Sequence, residues 1–388
     1  MTTILYSGYY DPDKDKGPFE VESNFFYLTS CDLPNVTIIK HHKKDYVLVE
    51  IPDISNYDAE HFKMKLKHCF NAEIIDLKDL ISLLKNCKII HTLPNIETHP
   101  NFSSLRRFPM DMSSISSKLL KKRELKFIDE IKSIEQACKY TSGGIKHIMK
   151  RSKPTMSQIE LIGLFKHYIS KFGIQKLSFN PITAHGKYNQ YLHYEAQDRK
   201  ITKGSLVLLD LGCKYNHYCS DISRCFPISG KFTKLQKNIY NVVLRGLKYA
   251  LTLMKPGAQW QTITHKVILK LYDECLKIHL VMPLQHKSDK VKVMKTLMPH
   301  LLGHHVGLEN HDCGPITTLK KDMVVAVEPG IYFQTGKGKS PHINTSTWQE
   351  YEHIGGIRIE DTIVITSTGY KNLSKVTKEI AGIEKLMR

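Results

Sequence analysis

The stretch Leu206-Val207-Leu208-Leu209-Asp210-Leu211-Gly212, followed by Ser220-Asp221-Ile222-Ser223-Arg224, decides how this chain reads. An apolar run ends in a carboxylate, and a second carboxylate follows eleven residues later. The segment between them is short enough to be a hairpin turn. With a turn centred on Tyr215 and Asn216, opposed residues share an index sum of 431. Asp210 then faces Asp221, with Cβ atoms about 4.5–5.5 Å apart. Like charges so opposed destabilise a sheet unless a cation compensates. A pair of divalent ions roughly 3.5–4 Å apart meets that need. Two acids on a solvated face are the plainer alternative, and Val207, Leu208 and Leu209 weigh against it.

Two further strand-like runs carry acids. Val324-Val325-Ala326-Val327-Glu328-Pro329-Gly330 is an apolar run ending in Glu328 and a Pro-Gly break. Ile357 to Ile365 alternates with period two, so Arg358, Glu360 and Thr362 share one face. A buried glutamate needs a partner. Arg358 is one candidate for Glu360 and a metal is the other. Between the hairpin and these strands lies His300-Leu301-Leu302-Gly303-His304-His305-Val306-Gly307-Leu308-Glu309-Asn310-His311, four imidazoles in twelve residues. Imidazole ligates Mn, Fe, Co or Zn and moves protons near neutral pH. Gly303, Gly307 and the preceding Pro299 argue against a regular helix there.

Outward from this centre, 388 residues suit two domains. Phe25-Leu28, Val36-Ile39, Tyr46-Val49 and Ile89-Thr92 read as strands, and Asp58-Phe70 and Leu77-Leu84 as helices, giving a small α/β domain over 1–118. Asn95 to Ser117, rich in Pro, Ser and Asn, reads as the linker. A helix is expected from Lys121 to Arg151. Another should be capped by Thr155 with Gln158 and stop at Gly173. Strand runs at 205–211, 218–226, 323–328 and 356–366 alternate with helices at 233–254 and 260–278. The class over 119–388 is α+β, helices covering an antiparallel sheet.

Composition narrows the setting. No stretch approaches the ~20 apolar residues of a membrane helix, and the N-terminus lacks the pattern of a signal peptide. The nine cysteines are odd in number, scattered and without a CxxC pair, which points to reduced thiols and a cytoplasmic location. The net charge is +18. A solvated lysine-rich surface accounts for it. Attraction to nucleic acid is the alternative, and no aromatic-studded basic motif in the sequence supports it.

Taken in order, D-x10-D, H-x3-H-x6-H-D, V-E-P-G-I-Y and G-I-R-I-E-D resemble the Xaa-Pro peptidases of the pita-bread fold, which include prolidase and aminopeptidase P. The likeness runs over about 120–388. Leu192-His193-Tyr194, Gly230-Lys231-Phe232-Thr233 and Met298-Pro299-His300 look closest to eukaryotic-type prolidase. The resemblance implies a pita-bread catalytic domain and five metal ligands, Asp210, Asp221, His304, Glu328 and Glu360. It implies two divalent ions per chain, Mn2+ first, with Co2+, Fe2+ or Zn2+ as alternatives. It places Glu328, His300 and His311 among the catalytic groups and His193, His300, His311 and Arg358 against the substrate. The implied reaction is hydrolysis of Xaa-Pro bonds, first in dipeptides, with longer peptides as the alternative substrate. A metal-free binding module is the alternative of another class. A homodimer is implied by the family, and a nucleic-acid partner is not expected. Leu301 stands where the family carries Gly, and Phe179 where such prolidases carry Tyr. The stretch 313–327 lacks the Arg that grips a dipeptide's C-terminal carboxylate, with Lys320 and Lys321 as substitutes lacking the bidentate fork.

Overall fold

The computed structural model describes residues 2–10, 19–49 and 59–388. The chain divides into two compact units, 1–122 and 123–388.

The first unit holds β1 (Thr2–Tyr6), α1 (Ser23–Thr29), β2 (Val36–His41), β3 (Lys44–Val49), α2 (Ala59–Cys69), β4 (Glu73–Ile74), α3 (Leu77–Leu84), β5 (Ile90–His91), α4 (Phe102–Leu105), β6 (Met110–Asp111) and α5 (Ser114–Arg123). Its sheet runs β4-β3-β2-β1-β5-β6, antiparallel at β1/β2 and β2/β3 and parallel elsewhere. Alternation puts Leu5, Ile38 and Val47 into one core with Phe25 and Phe62. Ile4, Ile39 and Leu48 enter the other with Leu80 and Leu84. Helices therefore cover both faces.

Three expectations change here. Phe25-Leu28 is helical: Glu22 accepts from the Phe25 amide as N-cap, and Ser30, left-handed at φ 54°, ends the turn. The Pro- and Ser-rich stretch read as a linker is part of the folded unit and contributes β6 and the first turn of α5. Ile89-Thr92 is not the last strand, because β6 pairs beyond it. Asp58, the expected start of α2, lies outside the described residues.

The second unit comprises α6 (Ile128–Arg151), α7 (Gln158–Ser170), β7 (Ile182–His185), β8 (Leu206–Leu211), β9 (Ile222–Pro227), α8 (Lys234–Thr252), α9 (Trp260–Lys277), α10 (Lys287–Leu297), β10 (Val324–Val327), β11 (Gly330–Tyr332), α11 (Thr345–Tyr351), β12 (Gly356–Arg358), β13 (Asp361–Ile365), β14 (Tyr370–Asn372) and α12 (Ile380–Leu386). All strand pairs are antiparallel, in three pieces: β7-β8-β9, β10-β13-β14 and β11-β12. The long helix begins at Ile128 rather than Lys121, since Glu130 turns back to accept from the Phe127 amide. The next is capped by Ser157 with Glu160, two residues after the expected box, and Thr155 takes φ 84° instead.

Candidate metal centre

The hairpin forms, with a shifted turn. Asn216 and His217, at φ 47° and 70°, occupy its two central positions. Tyr215 pairs with Tyr218 across them. Two left-handed residues in a two-residue loop match the twist of the flanking strands. The index sum is thus 433, not 431: Asp210 faces Ser223, and Asp221 lies diagonally, just before β9. The parity is unchanged, so both carboxylates stay on one face.

The histidine segment is extended and lies beside β10. Glu328 N–H donates to Leu302 O, Ala326 N–H to His304 O and Val306 N–H to Val324 O. His304 and Glu328 are therefore diagonal neighbours, with Nε2 3.6 Å from Oε1. On its other side β10 pairs with β13 through Val327 and Asp361. One further step in that register sets Glu328 opposite Glu360. The Glu360 amide in turn donates to Ser223 O, linking this seam to the hairpin.

Four carboxylates and an imidazole thereby converge. His304 Nε2 is 3.4 Å from Asp221 Oδ2. One ligand atom each from Asp221, His304 and Glu360 lies within 4.8 Å of the others. Arg358 binds the Asp210 carboxylate at 2.7 Å, and its Nε donates to Ser223 Oγ at 2.9 Å. Ser223 Oγ donates to Glu360 Oε2 at 2.9 Å.

The charges of this cluster do not balance among themselves. Burial opposes ionisation of Asp210, but Arg358 and Ser223 outweigh it and its carboxyl sits below the ordinary value. Burial and then the Asp210 charge push Asp221 up. Burial raises Glu328 to about 7, and burial with its acidic neighbours lifts Glu360 well above the carboxylate range. Burial disfavours a charge on His304, yet Asp221 and then Glu328 pull it up to about 9. The upward shifts of the other three carboxyls show acids competing for too few cations. Asp210 Oδ1 and Asp221 Oδ1 are buried with no hydrogen-bond partner. His304 Nδ1 lies 3.0 Å from the His305 carbonyl, which fixes the proton there and leaves Nε2 as a donor of its lone pair. Divalent cations fit this donor set.

The other expected residues surround it. His311 packs on His304 with ring centroids 4.1 Å apart. His193 is exposed, close enough for its charge to act on His300 and His311. His300 Nδ1 is 3.8 Å from Glu328 Oε2 and 2.8 Å from the Leu301 carbonyl. Burial and then Arg358 lower His300 to about 4, so it stays neutral. The proton on Nδ1 makes its buried, unpartnered Nε2 an acceptor. Arg358 departs from expectation. It is buried and spends its nitrogens on Ser223, Tyr332 Oη and Asp210. It orients Asp210 and forms no hydrogen bond to the Glu360 carboxylate. The sequence reading also missed Ser223, Tyr332 and Asn310, whose Nδ2 donates to Asp221 Oδ2 at 2.9 Å. Ser223 was reachable, being two residues past Asp221 on the same strand face; Asn310 carried no signal.

The profile of metallopeptidase family M24 matches residues 132–367. The chain belongs to that family. The M24 chain is 27% identical over 419 residues to a protein described as a probable Xaa-Pro aminopeptidase from Ajellomyces dermatitidis, covering 95% of this chain and 88% of the relative. It is 28% identical over 421 residues to an uncharacterized peptidase of Saccharomyces cerevisiae, covering 98% and 77%. Aminopeptidase P from E. coli, solved with the inhibitor Pro-Leu, superposes with a TM-score of 0.85 at 25% identity, covering 100% of this chain and 93% of that one. Proline aminopeptidase P II from Yersinia pestis gives 0.85 at 25% identity, covering 100% and 94%. The M24 fold is thus the pita-bread fold, and the α+β expectation holds.

Proposed function

We propose that this chain hydrolyses the peptide bond before proline at a centre holding two divalent cations. The observation that carries the reading is the convergence of Asp210, Asp221, His304, Glu328 and Glu360 with buried, unpartnered carboxylate oxygens. Asp221 and Glu360 would be shared, Asp210 completing one set and His304 with Glu328 the other. Mn2+ is the first choice, because four carboxylates and one imidazole form a hard, oxygen-rich set. Bound there, the cations would acidify a water toward neutral pH and polarise the scissile carbonyl.

The chain's own groups do the rest. Glu328, beside His300 and His304, takes the proton of the attacking water and delivers it to the departing proline nitrogen. His193 and His311, on the exposed side, donate to the carbonyl oxygen as it gains charge. His300 Nε2 accepts. An Xaa-Pro bond has no N–H, so peptidases that need that donor lose it, and none of these contacts requires it.

Dipeptides are the first substrate of this reading. One observation favours longer peptides as well. Lys320 is bonded to Glu124 at 2.8 Å and Lys321 lies 3.8 Å from Asp322. Neither is positioned as a dedicated clamp for a dipeptide carboxylate. A homodimer and a cytoplasmic location belong to the same reading. All nine cysteines are free, which supports a reducing compartment. Metal-stripped protein reloaded with Mn2+ and given Gly-Pro, Arg-Pro-Pro and Arg-Ala-Ala tests the proposal. Cleavage of a proline substrate alone is expected; equal cleavage of Arg-Ala-Ala overturns it.

A further inference from the structure

The fold brings aromatic rings and lysines together across α6, α7 and the hairpin turn. Six rings form a line across α6, α7 and the hairpin turn. Tyr215 lies 5.7 Å from Tyr140, which lies 4.7 Å from Phe172. Phe172 lies 5.4 Å from Tyr168, Tyr168 5.4 Å from His147, and His147 6.5 Å from His167. Phe172 is 47% exposed. Tyr140, Tyr168, His147 and Tyr215 are half-buried and His167 is exposed. A Cβ on Gly143 would overlap the Tyr168 phenol. Glycine inside a helix is destabilising relative to alanine. Here its missing side chain lets a surface tyrosine lie along α6.

The segments that carry most of these rings are cationic. From Gln136 to Lys176 the chain carries eight Lys and Arg residues and one acid, Glu160. Glu160 is committed to the α7 cap and to Lys200. Lys139, Lys146, Lys150, Arg151, Lys166 and Lys171 form no ion pair among the described residues. Their field is felt locally: after burial, Arg151 and Lys171 are the main groups lowering the pKa of His147.

Partly exposed rings beside unpaired cations suit a polyanion that carries planar groups. A duplex hides its bases, and an acidic peptide has no series of planar groups to stack. A second copy of this chain would press like charges together. We propose that this face of α6 and α7 binds single-stranded nucleic acid, with phosphates on the lysines and Arg151 and bases stacked on Phe172 and Tyr168. This surface is independent of the peptidase reading.

Fluorescence anisotropy of the full chain with a labelled oligouridylate of about 20 nucleotides tests it across a salt series. The wild type is expected to bind at low salt and weaken as salt rises. Phe172→Ala should weaken the single strand about tenfold and leave a duplex of equal length nearly unchanged. Lys150→Glu with Lys171→Glu should weaken both and flatten the salt slope by about 1–2. Lys287→Glu with Lys295→Glu, on α10, should match the wild type, and all variants should keep the wild type's peptidase rate. Absence of wild-type binding at about 50 mM salt overturns the proposal. So does an equal loss in the α10 pair, or a Phe172→Ala effect confined to phosphatidylserine vesicles.

Discussion

Ser223 has neither charge nor affinity for hard cations, yet it stands between Arg358 and Glu360. Its hydroxyl accepts from one and donates to the other, so it sets the angle of a carboxylate it does not outrank chemically. Ser223→Ala should cost about 10–100-fold in metal affinity and roughly 1–3 kcal/mol in stability, since two buried partners are left unsatisfied. Chelator competition and thermal unfolding measure the two effects; an unchanged affinity would remove Ser223 from the site. Arg358 spans Ser223, Tyr332 and Asp210 with a rigid fork. Lysine keeps the charge but cannot reach three acceptors. Arg358→Lys should therefore lower kcat at least about tenfold, which steady-state kinetics would show.

Among the elements, the hairpin ties local backbone to site geometry. Asn216 adopts φ 47° in its turn. Asn216→Val should cost about 1–2 kcal/mol, the left-handed penalty for a residue with a Cβ branch, whereas Asn216→Gly should be tolerated. A denaturant midpoint for each distinguishes them. The histidine segment depends on Gly303, where a Cβ would strike the Ala326 carbonyl. Gly303→Ala should push the segment off β10 and abolish metal binding, readable by metal analysis of the purified variant. These elements also show what the sequence disclosed. The acids that end apolar runs at Asp210 and Glu328 were legible, because burial forces such a residue to find a partner. The turn was placed one residue early, since Tyr215, Asn216 and His217 differ only in how well each tolerates positive φ. Phe25-Leu28 was misread because four apolar residues fit both helical and strand periods. The cap on Glu22 settled it. A two-residue strand such as β6 is too short to show alternation at all.

At the scale of the second unit, one buried carboxylate pins the start of the unit to the histidine segment. Asp312 is bonded to Arg123 and to Lys126, the latter at 2.9 Å, and all three are almost fully buried. Burial opposes its ionisation, but Lys126 and then Arg123 hold it down to about 2. A carboxyl depressed in the folded state stabilises at every pH above its unfolded value near 3.8. That contribution, about 2 kcal/mol, is lost as pH falls from there toward about 2. Asp312→Asn should cost roughly 3–5 kcal/mol near neutrality by stranding two cations. The gap to the wild type should narrow below about pH 4, as urea unfolding at several pH values would show. The five proposed ligands span 150 positions, Asp210 to Glu360, and come from the β8–β9 hairpin, the histidine segment beside β10, the end of β10 and the start of β13. The most direct test is metal stoichiometry with proline-peptide cleavage, measured side by side for the wild type, Asp221→Asn and Glu360→Gln. Two ions per wild-type chain, with metal and activity lost together in both variants, is the predicted result. Undiminished cleavage by either variant, or by metal-free wild type, would contradict it.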